Sequence, residues 1–566
     1  MGRFNLLDEP WISVLDKTGV KKEVSMMDFF QNANDYIALA GEMETQNFAL
    51  MRFLLSVVQT VFSRFDYEGN VLPGVKIDEN FRQLSHVDED EIGDYCSAVN
   101  ECWMNLHSSD HFPDIIFKYL EKWRDRFYLF DEKYPFYQVN DREMKKISGR
   151  TTTIYGKNIN RTISESENKL ALFSPIANTS KGKRSVRDVM TAPELARWLL
   201  MFQGYSGLAD KVSVTPKNQR SSKGWLFDLG GIYILESNVF ETMIVNYMPE
   251  SPMESIDFCG RCQRPCWELN GIEVVNKLCQ GSSIDNLAEL YTNWSRAVYI
   301  DPKMDMPGPV ELHVVKLPEI DHTENSIEPM TLWKWNENGP NKDHYTPKKH
   351  SIDQSLWRNF GIITMKTATK QHQPGILRQY QRLVDSAGKR LVELVGVSMQ
   401  DDANSTSWLP VNEIMDSFHI NGLVVKDTDV NGWVVRISDT VETTKNIVSD
   451  IFRYFLKGIC DIRNLNQTAD SFMTNEVEKL YSNIDFAFKE WLLSIRAEDT
   501  KEEKINEWYV KLRKMVLDQG EELFENSTTR DLVGIEKEGK IENIATKYWQ
   551  FVGMINKKIG KGGDAI

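Results

Sequence analysis

Apolar residues recur at helical spacing over long stretches near both ends of the chain. From Met43 to Phe62 they return every three or four residues, and the same spacing predicts helices over 114–125 and 193–203. Beyond about residue 440 this spacing continues through a closing series of segments joined by short polar connections, namely 443–462, 469–481, 484–496, 502–524 and 540–558. The closing series predicts a helical bundle.

Short runs rich in β-branched and aromatic residues predict strands elsewhere. Two such runs flank a turn at 16–19 and predict a hairpin, and Ser25 then caps a short helix. Residues 294–300 and 432–437 are also strand-like, within a region from 224 to 435 that mixes short strands with loops. The region before the closing helices is therefore predicted to be mixed rather than helical.

The change from a mixed strand and loop pattern to a helical pattern predicts a division of the 566-residue chain near residue 440. A chain of this length exceeds one ordinary hydrophobic core. We therefore expect an α+β protein in which a large mixed N-terminal globular domain of short strands and helices, residues 1–439, precedes a C-terminal helical bundle of the four-helix type, residues 440–566.

The distribution of charge singles out one segment of the chain. The whole chain has a formal charge of −15, yet residues 141–223, the basic segment, hold sixteen Lys or Arg against seven Asp or Glu. The basic segment is also rich in Gly, Ser, Thr and Asn, which is typical of loops. It predicts loops that contact the phosphates of RNA or DNA, while the remaining surface repels them. A solvated basic loop without a specific partner is the alternative.

Several classes of protein are not favoured by the sequence. Apolar runs stay well short of 18 residues and the N-terminal segment does not resemble a signal peptide, so we expect no membrane span. Seven Cys are no disulfide framework, which favours a reducing cytoplasm. Motifs for nucleotide hydrolysis, zinc proteolysis and serine hydrolysis are absent. The most closely spaced histidines, His322, His344 and His350, lie in polar loop sequence. We therefore expect no enzyme.

One cysteine cluster has the composition of a metal site. Cys259 and Cys262 flank a short turn containing Gly260, and Cys266 and Cys279 follow. Such thiolates can hold a structural Zn²⁺ at the Cys259/Cys262 cluster, and free thiols are the alternative. The sequence indicates no other cofactor.

Ordered motifs along the chain resemble a known family. The opening Asn-Leu-Leu-x-x-x-Trp-Ile-x-Val at 5–14, the Tyr-Pro-Phe-Tyr-Gln at 134–138, and the stretch 168–174 that precedes the helix at 193–203 occur in the order found in the CasA family. CasA proteins are the large subunits of type I-E CRISPR Cascade complexes. The resemblance implies a non-catalytic subunit of an RNA-guided DNA surveillance complex. Such a subunit recognises the protospacer-adjacent motif in duplex DNA, helps unwind the target and recruits the helicase-nuclease. The implied partners are other Cascade subunits, CRISPR RNA, target double-stranded DNA and the helicase-nuclease.

The resemblance also implies two loops that contact nucleic acid. The first, over 173–192, docks the subunit near the guide RNA through Phe173, Lys181, Lys183, Arg184 and Arg187. The second, which we call the glycine loop, spans 203–211 and corresponds to a loop that lies against the minor groove, with Gly204, Gly207 and Lys211 as its contact residues. Asp210 is a poor neighbour for phosphate, and a helix C-cap at Gly204 is the alternative interpretation.

Two further groups follow from the same resemblance. Lys334, between Trp333 and Trp335, matches a lysine that donates to base edges in the minor groove, although it fits equally a strand lysine that points to solvent. The stretch 396–405 corresponds to a wedge that splits the first base pair, with Gln400 or Asn404 as the wedge residue. Its two adjacent aspartates, 401 and 402, would repel phosphate, so an acidic surface turn is the alternative.

Two other functions remain open on the sequence. A standalone metal-dependent nuclease would use dispersed carboxylates and histidines, and a scaffold protein would place its basic loops on an acidic protein partner. For the non-catalytic subunit, the charge of −15 implies that the isolated chain binds DNA poorly.

Overall fold

The computed structural model describes residues 2–159, 188–249, 259–281, 283–323, 327–365, 373–387, 391–537 and 539–560. The chain divides into two compact units. The first comprises Met1–His350, Thr367–Tyr380 and Val395–Met415, and the second comprises Ser351–Lys366, Gln381–Leu394 and Asp416–Ile566. The second unit thus contains the residues predicted as a bundle together with earlier segments of the chain.

The strands form small sheets of two or three members. They are β1 (Arg3–Asn5), β2 (Ile12–Asp16), β3 (Lys21–Val24), β4 (Tyr36–Leu39), β5 (Tyr128–Phe130), β6 (Thr152–Tyr155), β7 (Val189–Met190), β8 (Gly231–Leu235), β9 (Arg296–Tyr299), β10 (Gly308–Pro309), β11 (Glu311–Lys316), β12 (Trp333–Trp335), β13 (Tyr345–Pro347), β14 (Leu391–Asp401), β15 (Pro410–Asn421), β16 (Ile535–Lys537) and β17 (Lys540–Glu542). Three-stranded sheets have the orders β3-β2-β4, β6-β11-β9 and β15-β14-β8, and the pairs are β1-β5, β7-β10, β12-β13 and β16-β17. The hairpin predicted near the start and the strand predicted at 294–300 are confirmed as β2-β3 and β9.

Helices occupy much of the rest of the described chain. They are α1 (Met26–Gln31), α2 (Glu44–Phe62), α3 (Ile92–Ser108), α4 (Ile115–Lys122), α5 (Asp141–Ile147), α6 (Ala192–Tyr205), α7 (Val239–Asn246), α8 (Gly271–Cys279), α9 (Leu287–Tyr291), α10 (Phe360–Thr364), α11 (Gly375–Ala387), α12 (Gly422–Lys426), α13 (Trp433–Asn446), α14 (Arg453–Arg463), α15 (Ala469–Ser494), α16 (Lys501–Glu525), α17 (Thr529–Val533) and α18 (Ile544–Ile559), with a π-helical segment, Ile447–Phe452, between α13 and α14. The α+β class with a helical C-terminal region is confirmed. In the part of the chain that the structure describes, none of these helices is both long and apolar enough to cross a membrane.

The helix α2 is the centre of the first unit. Its sequence predicts one apolar face, but every residue from 45 to 62 is buried, so its polar side chains need partners inside the protein. Arg52 donates two hydrogen bonds to Glu328, at 2.6 and 2.7 Å, and Gln59 donates to the carbonyl oxygen of Met248 at 3.0 Å. These bonds connect α2 to distant segments and let a helix with polar residues lie wholly in a core.

The strand predicted at 432–437 is wrong, because this stretch begins the helix α13. The carboxylate of Asp427 accepts from the backbone N–H of Trp433 at 2.9 Å and satisfies one of the free donors at the helix start. Residues Trp433, Val434, Ile437 and Val441 are buried at helical spacing. Packing of this face outweighs the β-propensity of the Val-Val pair, which is only a weak local preference.

Two boundaries predicted in the C-terminal region are also wrong. The segments 469–481 and 484–496 form one helix, α15, because no Gly or Pro between them interrupts its hydrogen bonds. The last predicted helix begins at Ile544 rather than 540, since Lys540–Glu542 pairs with Ile535–Lys537 as a hairpin. Asn543 then caps α18 through the backbone N–H of Thr546.

The core of the second unit is built on stacked aromatic rings. Trp357 lies on Phe488 with ring centroids 4.0 Å apart, and Trp508 contacts the same phenylalanine edge-on at 4.8 Å. The indole N–H of Trp508 donates to the hydroxyl of Thr444 at 2.9 Å, which satisfies its one buried polar atom. This cluster joins α13, α15 and α16 into a bundle.

Candidate nucleic-acid interface

The glycine loop begins in the last turn of α6. The helix runs one residue past Gly204, to Tyr205, and Ser206 is its C-cap. An added Cβ on Gly204 would lie 2.8 Å from the side chain of Leu226. The backbone at Gly224 packs against this same turn, where an added Cβ would come within 2.6 Å of the Tyr205 nitrogen. Gly204 therefore leaves space for the side chain of Leu226, and Gly224 permits the close approach of the two backbone segments.

Gly207 lies directly against the loop that joins β14 and β15. We call this loop, residues 402–409, the hairpin tip. The backbone N–H of Leu208 donates to the carbonyl oxygen of Ser407 at 2.6 Å. An added Cβ on Gly207 would overlap the carbonyl oxygen of Trp408 and come within 2.9 Å of that of Ser407. The glycine loop and the hairpin tip, which contains the predicted wedge residue Asn404, are far apart in sequence but in direct backbone contact.

This contact predicts that Gly207→Ala destabilises the first unit. The new methyl group has no space unless the hairpin tip moves away, and such overpacking costs about 1–3 kcal/mol. Thermal unfolding of the full chain should show a lower melting temperature for the first unit. Gly149→Ala is the matched control, since an added Cβ at exposed Gly149 meets no atom within 4 Å. Equal melting temperatures for the two variants would contradict the contact.

Arg296, at the start of β9, holds the glycine loop from inside the protein. Its side chain is fully buried and donates to the carbonyl oxygens of Gly207 and, at 2.7 Å, of Ser222. It also forms an ion pair with Asp210, with 2.9 Å between Nη2 and Oδ1. Burial lowers the pKa of Arg296, and the carboxylate of Asp210 opposes this shift. One buried guanidinium therefore fixes both halves of the glycine loop.

The ion pair removes the objection that Asp210 would repel phosphate. Only 7% of its side chain is exposed, and its charge is balanced by Arg296. Next to it, Lys211 is exposed, and its backbone N–H donates to the hydroxyl of Thr152 at 3.2 Å. The outer surface of the glycine loop thus presents a lysine, while its aspartate faces inward.

The hairpin tip is held in shape by its own polar side chains. Asp402 accepts from the backbone N–H groups of Asn404, at 3.1 Å, and Leu409, at 3.0 Å. Asn404 in turn accepts from the backbone N–H of Thr406 at 3.1 Å. Ala403 and Trp408 have positive φ angles of 55° and 45°, which non-glycine residues adopt only where surrounding structure enforces them. The tip is therefore a preformed protrusion.

Two lysines support the base of this protrusion. Lys349 pairs with Asp401 at 2.9 Å, so this aspartate is neutralised within the protein. The ammonium of Lys223, the last residue of the basic segment, lies 4.7 Å from the ring centroid of Trp408. The acidic surface turn expected as an alternative is therefore partly compensated by cations from distant parts of the chain.

The two predicted wedge residues occupy different positions. Gln400 is half-buried within β14, before the tip begins, whereas Asn404 is exposed on the tip itself. The side chain of Asn404 is already used to shape the tip through Thr406. Of the two, Asn404 has the placement that a wedge requires.

Lys334 lies in the middle of the short strand β12. Trp333 is 2% exposed, and Lys334 is exposed opposite Thr346 of β13. The chain after β13 then joins the hairpin scaffold, because the backbone N–H of His350 donates to the hydroxyl of Ser398 in β14 at 3.1 Å. Lys334 therefore stands on a strand connected to β14, with its ammonium free to reach solvent.

Residues 173–187 of the predicted docking loop fall outside the described residues, and they include all five of its contact residues, Phe173, Lys181, Lys183, Arg184 and Arg187. Their role stays a prediction.

Four residues that the sequence analysis did not select hold the glycine loop and the hairpin tip in place. They are Arg296, Lys223, Lys349 and Trp408. An arginine inside the apolar run of β9 was the one local signal for a buried anchoring role.

The cysteine cluster is arranged differently from a four-thiolate site. Cys259 forms a disulfide with Cys96 of α3, although the sequence analysis expected free thiols or zinc. Cys262 and Cys266 are free and buried, and burial raises the pKa of the Cys266 thiol to about 12. Zinc at the Cys259/Cys262 cluster stays a prediction, and it requires the reduced protein because a disulfide sulfur is not a thiolate ligand.

A compact polar group lies behind the hairpin tip. Asp228 pairs with Lys223 at 2.6 Å, and the pKa of its carboxyl is lowered because Lys223, His322 and Lys349 outweigh the opposing effect of burial. Burial lowers the pKa of His322 and raises that of Glu319. The imidazole of His322 is therefore neutral near pH 7.

Comparison with known proteins places the chain in a family. The family model described as CRISPR-associated protein Cse1 matches residues 5–519, which is most of the chain. The chain belongs to the Cse1 family. A CasA/Cse1 protein of Thermus thermophilus is 26% identical over 271 residues, which are 47% of this chain and 42% of that relative. The aligned part thus spans less than half the length of this Cse1 relative, and the resemblance to the CasA family is confirmed.

Solved Cse1 structures share the whole fold. The crystal structures of Cse1 from Thermobifida fusca and Acidimicrobium ferrooxidans align with TM-scores of 0.73 and 0.71, each at 18% identity and over 99% of both chains. A chain of a CRISPR RNA-guided surveillance complex aligns with a TM-score of 0.63 at 12% identity, over 98% of this chain and 99% of that one. At these identities the likeness shows a common Cse1 fold.

Proposed function

We propose that this Cse1 protein is a non-catalytic large subunit of an RNA-guided DNA surveillance complex. In this role it recognises the protospacer-adjacent motif in duplex DNA, helps unwind the target and recruits a helicase-nuclease. Its partners are other Cascade subunits, CRISPR RNA and the target double-stranded DNA. Membership of the Cse1 family and the fold shared with a chain of a surveillance complex support the proposal.

The observation that carries the DNA-reading part is the contact between the glycine loop and the hairpin tip. Gly207 permits a backbone approach that a side chain would block, and Arg296 fixes the loop from beneath. A motif reader and a strand separator must act on adjacent base pairs, so they need a fixed spacing. Minor-groove readout is degenerate, so we expect several motifs to be accepted, while guide pairing supplies the longer specificity.

Charge supports a role within a complex rather than alone. The net charge of −15 opposes binding of the free chain to DNA, and the basic segment, with a local charge of +9, provides attraction at one place only. Partner subunits and guide RNA would fix the orientation in which this segment meets phosphate. We infer that tight target binding requires the assembled complex.

This proposal predicts different effects for two exposed lysines. In the assembled complex, Lys211→Ala should weaken binding to all duplexes and reduce the slope of log K against log salt by about 0.9, as expected for one lost phosphate contact. Lys334→Ala should instead reduce discrimination between accepted and rejected motifs by about 1–3 kcal/mol, as for a lost base contact. Binding is measured by fluorescence anisotropy over a series of salt concentrations.

Exposed Lys303 provides the matched control, and Lys303→Ala should leave both quantities unchanged. If neither Lys211→Ala nor Lys334→Ala differs from this control, the proposed DNA-reading surface is wrong.

A second experiment tests the nuclease alternative. The purified chain alone, incubated with duplex DNA and Mg²⁺ or Mn²⁺, should leave the DNA uncut. Cleavage that persists through purification would favour the metal-dependent nuclease instead.

A further inference from the structure

A group of three potential metal ligands lies behind the hairpin tip. One ligand atom each from Asp228, Glu319 and His322 lies within 4.8 Å of the others, close enough to share a cation. The ligands come from two separate segments, since Asp228 follows Trp225 in a short turn and the other two follow β11. Among the described residues this is the one group of His, Cys, Asp and Glu that meets such a distance.

The histidine is held as metal-binding histidines usually are. Its ring stacks on Trp225 with centroids 4.2 Å apart and an angle of 11° between planes. Its Nε2 lies 3.2 Å from the carbonyl oxygen of Trp225, and a carbonyl oxygen can only accept, so Nε2 carries a proton. In the neutral ring this leaves the lone pair on Nδ1. A backbone carbonyl that fixes the tautomer in this way is the common outer partner of a metal-binding histidine.

The glutamate is available for a ligand. The Glu319 side chain is half-buried, and it accepts no hydrogen bond and forms no ion pair with any described residue. This carboxylate has lost part of its hydration, and the charges of Lys223 and Arg220 only partly offset that loss. A directly bound cation would offset it further. This open carboxylate is an observation independent of the spacing of the three ligands.

From this geometry we propose that Asp228, Glu319 and His322 bind one divalent first-row transition metal. One imidazole nitrogen and two carboxylate oxygens suit Zn²⁺, Mn²⁺ or Co²⁺ better than Mg²⁺, which prefers oxygen ligands alone. The site would tie the segment after β11 to the short turn that contains Asp228. It does not depend on the proposed function, and a failed test would leave that function untouched.

Lys223 is the natural competitor for this cation. Its ammonium is 2.6 Å from Asp228, whereas Lys349 is 3.7 Å from Asp228 but 2.9 Å from Asp401. A bound metal would displace the ammonium of Lys223 from the carboxylate of Asp228. The ammonium could keep its contact with the ring of Trp408. Removal of this one positive charge should therefore tighten metal binding.

The experiment uses the purified full chain, without an affinity tag, titrated with Co²⁺. The visible spectrum reports coordination geometry, and thiolate-to-cobalt charge transfer in the near ultraviolet separates the cysteine cluster from this site. We expect one equivalent bound without charge-transfer bands. His322→Gln and Glu319→Gln should each lose that equivalent, while Lys223→Met should bind at least about tenfold more tightly.

The matched control is His344→Gln, since His344 is exposed on a loop and the carbonyl oxygen of Lys342 is the one hydrogen-bond partner of its side chain among the described residues. It should bind Co²⁺ as the unmodified protein does, and circular dichroism should show that all variants are folded. The proposal is overturned if no Co²⁺ binds, if binding survives both ligand substitutions, or if Lys223→Met leaves the affinity unchanged.

Discussion

Arg296→Met is expected to lower stability by about 3–5 kcal/mol and to abolish motif discrimination in the assembled complex. Methionine fills much of the space but leaves the carboxylate of Asp210 buried without its partner, which is the costly outcome when one half of a buried ion pair is removed. The carbonyl oxygen of Gly207 loses a charged donor at the same time. Thermal unfolding measures the first effect, and anisotropy with accepted and rejected motifs measures the second.

The control variant must lose a similar free energy of unfolding through a residue that does not contact the glycine loop or the hairpin tip. Arg64→Met meets this need, since Arg64 is fully buried and pairs with Glu268 at 2.7 Å in the same unit. Both variants should melt at lower temperature. Below that temperature, only Arg296→Met should fail to discriminate motifs. If Arg64→Met fails equally, the effect is general destabilisation and Arg296 has no special part in positioning the loop.

A double-mutant cycle separates the ion pair from the hydrogen bond. Adding Asp210→Asn to Arg296→Met removes the unpaired buried charge and should restore part of the stability. It should not restore discrimination, because Gly207 still lacks the guanidinium donor. A combined variant that regains both properties would show that the charge alone matters.

Local patterns in the sequence predicted most elements but not their burial. The repeat from Met43 to Phe62 correctly predicts α2, yet it indicates one apolar face where the structure buries every side. The missing information lies in Glu328, whose pairing with Arg52 spans 276 residues and makes a buried arginine acceptable. The opposite error at 432–437 arose because a β-branched pair was weighed without the Asp427 cap.

Predictions for the candidate site were limited in the same way, because partners distant in sequence were not considered. From the sequence, Asp210 and the aspartates at 401 and 402 argued against contact with phosphate, since each acidic side chain was judged by its chain neighbours. Their cationic or polar partners come from elsewhere: Arg296 is 86 residues from Asp210, and Lys349 is 52 residues from Asp401. Asp402 is instead occupied by backbone donors of its own loop. The charge pattern along the sequence therefore predicts a candidate interface but does not show which charges reach solvent.

Shortening the hairpin tip should abolish duplex opening while sparing motif recognition. Replacing residues 403–406 with Asn-Gly, a sequence that favours tight hairpin turns, removes the exposed part of the protrusion. It retains Ser407 and Trp408, which contact the glycine loop. Splitting a base step costs a few kcal/mol, which a rigid protrusion offsets by occupying the opened space. A loss of about 3 kcal/mol corresponds to a roughly hundredfold weaker guide-dependent opening.

Opening can be followed with 2-aminopurine placed beside the motif in a target duplex bound by the guide-loaded complex. The variant should give little fluorescence increase on a closed duplex, although short motif-bearing duplexes still bind. A target with a preformed bubble at the same base pairs should be bound as tightly as by the unmodified complex, because no stack has to be broken. If the shortened variant opens the closed duplex at the normal rate, the tip is no wedge. If it fails on the bubble as well, the defect lies in assembly or docking, and the predicted role of the tip in strand separation is not supported.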